Sequence, residues 1–175
     1  MVIILKEKFY IFFDIDGVLN CINAWDEKNF PLNMDCLKNF ADFVNFFQKK
    51  YEVHLIMSSS WRDGFDLENG HSEEIKDILK KFRDFDMEVE DKTPFFIEKN
   101  RADEINSYIA EHNLQGCKCL AIDDTKSLFS TPEKLFKLYI TDANFGFSRK
   151  DFEILTGENL NIFSRLKRFL QGYNF

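Results

Sequence analysis

Residues Phe9 to Asn20 read FYIFFDIDGVLN, and the fold turns on how this stretch is understood. The apolar run Phe9–Phe13 has no polar alternation, which is the pattern of a strand buried on both faces in the middle of a parallel sheet. It leads directly into Asp14 and Asp16, and two carboxylates at the end of such a strand are costly unless they hold a cation. Gly17 then lets the chain turn sharply away. The stretch implies a metal-assisted phosphoryl-transfer site.

Outward from it, Val18 to Leu32 is polar and irregular and predicts a loop or small hairpin over the site, carrying Trp25. From Asn33 or Met34 to Lys50, apolar residues recur at Met34, Leu37, Phe40, Ala41, Val44 and Phe47, a helical spacing with one face for a sheet. The short apolar run Glu52–Met57 follows and ends on Ser58, Ser59 and Ser60. Strand, helix, strand makes a βαβ unit whose parallel strands end at one sheet edge, so the serines land beside the aspartates.

Residues 63–71 read as a polar loop, and 72–82 as a helix with Ile75, Ile78, Leu79 and Phe82 inward. Phe85 to Ile97 gives only a connection with room for a short strand. Helix is expected over 101–112 with Asn100 or Asn106 as a cap, strand over 117–122 closing on Asp123-Asp124, and a further strand over 135–140. The tail predicts helices over 148–155 and 159–170. No repeat or linker divides the chain, so residues 1–175 are expected to form a single domain of α/β class. That class is a Rossmann-like three-layer sandwich with a mainly parallel sheet of about five strands.

The 175 residues suffice for a sizeable core. The 21 Phe beside only 3 Pro and 7 Gly look like base-composition bias. A net charge of −7 argues against broad non-specific binding to nucleic acid, though not against a local basic patch at a phosphate. Lys6-Glu7-Lys8 interrupts the apolar start, and no run is long enough to span a membrane, so a cytoplasmic location is expected. Cys117 and Cys119 have the wrong spacing for a zinc knuckle; these two, Cys21 and Cys36 read as reduced structural thiols. His54 reads as a satisfied core histidine, His71 and His112 as surface residues, and Trp61-Arg62 as packing plus a structural ion pair.

Polar groups thus gather at the carboxyl ends of several strands, where open α/β sheets bind ligands. Together the motifs resemble a haloacid-dehalogenase (HAD) phosphohydrolase. Asp14-Ile-Asp16-Gly17-Val18 matches the family's DxD motif, and the run closing on Ser58-Ser59 its second. Lys99 and Arg101 both suit the lone cation of the third, and Asp123-Asp124 fits the acidic fourth. The details DGVLN, SSSWR and IDDT are similar to small HAD domains found in or beside RNA-repair proteins.

The resemblance implies roles. Asp14 is the expected nucleophile and Asp16 the acid and base. Mg²⁺ is expected on Asp14, the backbone carbonyl of Asp16, and Asp123 or Asp124. Ser58, with Ser59 as the alternative, and neighbouring backbone N–H groups near Gly17 would hold phosphoryl oxygens. Arg101, ahead of Lys99, would stabilise transition-state charge. Neither the stretch from Asp14 to Ser58 nor that from Ser58 to Arg101 has room for a full cap domain. An open site suits a bulky phosphorylated substrate, a nucleotide or a nucleic-acid end. Competing readings are a HAD-like binding protein without turnover, a phosphotransferase, and a receiver domain. The last would place its acidic pair before the lone aspartate, the reverse of the order here.

Overall fold

The computed structural model describes residues 6–23, 30–158 and 172. The opening stretch is the central strand β1, Glu7–Phe13, buried from Phe9 onward. The chain continues through helix α1 (Met34–Gln48), β2 (Tyr51–Met57), α2 (Glu73–Arg83), β3 (Val89–Lys92), α3 (Arg101–Glu111), β4 (Lys118–Asp123), β5 (Lys137–Ile140) and α4 (Arg149–Thr156). The sheet is five-stranded, in the order β3-β2-β1-β4-β5, and every pairing is parallel. This is the Rossmann-like α/β architecture that the apolar runs predict.

Register places the strand ends level. Phe13 lies opposite Met57 on β2 and Ile122 on β4. The ladder runs one step further: Asp14 N–H donates to the Ile122 carbonyl (3.0 Å), and Ser58 N–H to that of Phe13 (2.8 Å). Thr93 N–H and Thr141 N–H likewise donate to the carbonyls of Met57 (3.0 Å) and Asp123 (2.9 Å). Asp14, Ser58 and Asp123 are therefore fixed at one edge by backbone hydrogen bonds before any side chain acts.

Side-chain alternation along β1 builds two cores. Phe9, Ile11 and Phe13 pack with α1, α2 and α4 on one face. Tyr10 and Phe12 pack with α3 on the other. The phenylalanines carry much of the first core: Phe40 of α1 sets its ring against those of Phe13 (5.6 Å), Phe43 (6.1 Å), Phe82 (6.4 Å) and Phe147 (5.6 Å). Whatever set the composition, these rings now interlock. Asn33, Ser72 and Asn100 cap α1, α2 and α3 through their side chains, so the helix starts follow the expected capping chemistry.

Three expectations change, and one open connection is filled in. Val18 and Leu19 are fully buried rather than part of a polar loop; Phe147 N–H donates to the Val18 carbonyl (2.7 Å) and Asn33 N–H to that of Leu19 (2.8 Å). The connection after Phe85 uses its room for a short strand: it contains the edge strand β3, whose VEDK sequence lacks an apolar pattern. The serine cluster opens a short 3-10 helix, Ser60–Gly64. The last strand begins at Lys137, because Leu135 N–H is taken by the Asn106 side chain (3.0 Å). The expected helix over 159–170, Trp25 and the first residues lie outside the described residues. Among the described residues, no helix is long and apolar enough to cross a membrane, and all four cysteines are thiols.

Phe40 is fully buried among rings, so Phe40→Ala is expected to lower unfolding free energy by about 3–5 kcal/mol. The change should read as a shift of the urea midpoint at constant slope.

Candidate active site

Asp14 leaves β1 as the first residue past the apolar run and is buried. Its Oδ1 accepts the Ile15 N–H at 2.7 Å, and the nearby Ser59 side chain, whose Oγ accepts the Trp61 N–H (3.4 Å), favours its ionised form. Arg101 is the first residue of α3, whose start is set by a capping box of Asn100 and Asp103. From there its Nη1 reaches Asp14 Oδ2 and Asp123 Oδ2 (2.5 Å). Asp123 closes β4, with its Oδ1 accepting the Thr125 N–H (2.8 Å) and the Thr125 hydroxyl turned to Asp124 Oδ1 (2.9 Å). One oxygen each from Asp14, Asp123 and Asp124 lies within 4.8 Å of the others.

These groups set one another's charge. Burial pushes the Asp14 carboxyl above its ordinary pKa, against the opposing pull of Arg101 and Ser59. Burial also raises Asp123, to about 6; Arg101 opposes the rise and the neighbouring Asp14 adds to it. Desolvation alone would lower Arg101, but the two carboxylates outweigh it and hold the guanidinium charged. Hard oxygen donors this close, more numerous than the cation that balances them, suit a hard divalent cation.

A second cluster fixes the turn after Asp14. Gly17 has φ +67, and a Cβ there would come 2.4 Å from Asp124 Oδ2, so only glycine fits. Its N–H donates to Asn20 Oδ1 (2.9 Å), while its carbonyl accepts from the buried Thr141 hydroxyl (2.9 Å). The exposed Asp16 carboxylate accepts from Asn20 Nδ2 (2.8 Å) on one oxygen and from Trp61 Nε1 (3.0 Å) on the other.

The structure thus brings Asp14, Arg101, Asp123 and Asp124 together and sets Asp16 beside them with its carboxylate turned to Asn20 and Trp61. Of the two cations named in the sequence, Arg101 reaches the carboxylates, whereas Lys99 is exposed and lies over the Phe96 ring at 4.4 Å. Of the serines, Ser59 is near enough to Asp14 to favour its ionised form; the Ser58 hydroxyl is buried with no hydrogen-bond partner among the described residues. Gly17 is present as a conformational requirement, since its N–H is engaged by Asn20. Asp142 caps its own turn, its Oδ1 accepting from Asn144 N–H (2.9 Å) and Nδ2 (2.8 Å).

Sequence reasoning missed Asn20, Thr141 and the bond from Trp61 to Asp16. Asn20 stands four residues after Asp16, a spacing that a tight turn brings into contact. The other two depend on tertiary approach. Arg62 does form the expected ion pair, buried against Glu104 of α3 (2.9 Å). Glu104 also accepts the Phe96 N–H (3.1 Å), so it ties the turn after β2 and the loop before α3 to the helix that presents Arg101. His71, expected on the surface, accepts the Asp66 N–H (3.0 Å) and lies against Phe65 at 4.6 Å.

A family model described as the HAD domain in Swiss Army Knife RNA repair proteins matches residues 10–152. The chain belongs to this family. The match runs from within β1 to within α4 and takes in Asp14, Ser58, Arg101 and Asp123. No curated protein matches the chain. As a HAD domain the chain falls among phosphohydrolase-type folds. Between Asp14 and Arg101 its described residues form sheet, helices and short turns that belong to the domain body, with no separate cap module among them.

Because the folded Asp123 titrates near 6 against an ordinary 3.8, its protonated form favours folding. That contribution is complete below about pH 4 and is lost as pH rises through 6, an effect of up to about 3 kcal/mol. In chelator, the melting temperature should therefore carry a destabilising component between pH 4 and 7. Asp123→Asn should remove it.

Proposed function

We propose that this HAD domain is a phosphomonoester hydrolase that works through an aspartyl-phosphate on Asp14. The observation that carries the reading is the strand-end constellation: a buried, hydrogen-bonded Asp14 held by Arg101, beside Asp123 and Asp124. An Asp14 oxygen attacks phosphorus, and the bond from phosphorus to the leaving oxygen breaks. Asp16 gives its proton to that oxygen. Asp16 then takes a proton from a water that attacks the phosphorus of the aspartyl-phosphate, releasing inorganic phosphate and restoring Asp14.

Arg101 serves the phosphoryl group as well as the carboxylates. Its Nη1 makes both contacts seen, and a guanidinium keeps further N–H donors for phosphoryl oxygens. Ser59, whose side chain lies near enough to Asp14 to favour its ionised form, is the better placed serine for the same duty. The carboxylates fit Mg²⁺, since all are hard oxygen donors gathered closely at a partly buried edge. Asp14, Asp123 and Asp124 would hold it with the Asp16 carbonyl, and it would offset the repulsion between an anionic nucleophile and an anionic phosphate.

The family description, which places its relatives in RNA repair proteins, supports a nucleotide or nucleic-acid end as the phosphate bearer. The absence of a cap module among the described residues leaves the site open to a large substrate. With a net charge of −7, recognition rests on the site rather than on a broad basic surface.

The test is hydrolysis of an aryl phosphate and of 3′- and 5′-phosphorylated oligonucleotides, with Mg²⁺ and with chelator. Asp14→Asn is expected to lower kcat by a factor on the order of 10³ or more, and chelator to silence the wild type until Mg²⁺ is restored. Equal rates for wild type and Asp14→Asn would remove Asp14 as nucleophile. Inactivity across the whole panel would leave a phosphate-binding protein without turnover. Asp16→Asn should slow alkyl phosphates more than aryl phosphates, whose leaving oxygens need a proton less.

A further inference from the structure

Trp61 joins Asp16 to a neighbouring cleft. Its indole N–H donates to Asp16 Oδ2 at 3.0 Å, and the same residue helps line an open cleft of about 460 Å³. Phe30, 45% exposed, stands edge-on to the indole at 5.7 Å and 68°. Ser72 and Ile75 at the α2 start, with Asp63 and Glu74, contribute to the wall. The volume lies within the range of small-molecule sites, about 300–1,000 Å³.

Position and lining say what enters. If Asp16 protonates the leaving oxygen, whatever that oxygen belongs to departs past Asp16, and the cleft next to Trp61 receives it. Among the described residues the lining contains no Lys or Arg, and Asp63 and Glu74 would repel a second phosphate. They offer acceptors for N–H groups instead, while two aromatic side chains offer stacking surface. A flat, neutral, amino-bearing ring satisfies all three conditions; a bare sugar is neutral but lacks the flat stacking face and the amino donors.

We propose that this cleft holds the nucleobase of the leaving nucleoside, stacked at Trp61 and Phe30, with Trp61 joining the base subsite to the acid Asp16. The proposal rests on the phosphohydrolase reading for its orientation. It makes the preferred substrate a phosphorylated nucleoside, free or at the end of a strand, over a sugar phosphate.

The first experiment needs no turnover. The indole N–H resonance of Trp61, assigned by its loss in Trp61→Phe, is followed while adenosine, cytidine or ribose is added to the wild-type chain. Nucleosides are expected to shift it in a saturable manner and ribose to leave it in place. The second compares kcat/KM for adenosine 3′- and 5′-monophosphates with that for ribose 5-phosphate. A nucleotide preference of about tenfold or more is expected, shrinking by about that factor in Phe30→Ala and Trp61→Leu. A short oligonucleotide with a terminal phosphate, turned over with the same base preference, marks a strand end as the source; turnover of mononucleotides alone marks the free nucleotide. An unmoved resonance together with equal kcat/KM for nucleotide and ribose phosphate would overturn the base subsite and leave the phosphatase reading standing. A shifted resonance without turnover of any phosphate would do the reverse.

Discussion

Three carboxylates share the edge of an apolar sheet with one arginine, and the local structure is arranged so that this crowding is tolerable. Moving isolated charges out of water is expensive, and pairing recovers the cost only when geometry and hydrogen bonding are good. Here Asp14 and Asp123 are buried, both meet Arg101 Nη1, and their remaining oxygens accept backbone N–H groups from Ile15 and Thr125. The arrangement requires β1 and β4 to be neighbours in register and α3 to begin at Arg101. Asn100 fixes that first residue, and the buried Arg62–Glu104 pair anchors the same helix turn. Helix caps and ion pairs that never meet a phosphate are thus part of how the charges are held.

The aromatic core does complementary work. Phe9, Ile11 and Phe13 alternate with Tyr10 and Phe12, so consecutive residues of β1 secure opposite layers of helices. A strand clamped on both faces and paired on both edges has little freedom at its carboxyl end. The backbone of Asp14 inherits that rigidity, which the nucleophile role proposed for it requires of its scaffold.

Much of this was legible in the sequence, for identifiable reasons. FYIFFDIDGVLN declares a buried strand and a charged turn together, and the βαβ rule then places Ser58 beside Asp14. Helix caps at Asn33, Ser72 and Asn100 could be expected from residue type and spacing. For β3 the sequence offers only room for a short strand, because VEDK is a strand by virtue of its pairing with β2, with a register shift between Leu55 and Ile56, rather than by its composition. Val18 and Leu19 were hidden by polar neighbours, and their carbonyls are met by N–H groups of Phe147, far along the chain, and of Asn33. The choices between Ser58 and Ser59, and between Lys99 and Arg101, turn on side-chain direction. Spacing alone does not carry that information. The link from Trp61 to Asp16 joins two strand ends and is visible only once both are placed.

The weak signature of β3 has a value of its own. As an outer strand it carries Glu90, Asp91 and Lys92 in succession, with Glu90 turned to His54 (2.7 Å) and Asp91 to the Tyr108 hydroxyl (3.1 Å). A short border of charge at the rim of a sheet so rich in phenylalanine is a poor template for strand addition by another copy. The polarity that conceals β3 from a reader of the sequence also guards the folded chain against self-association along that border.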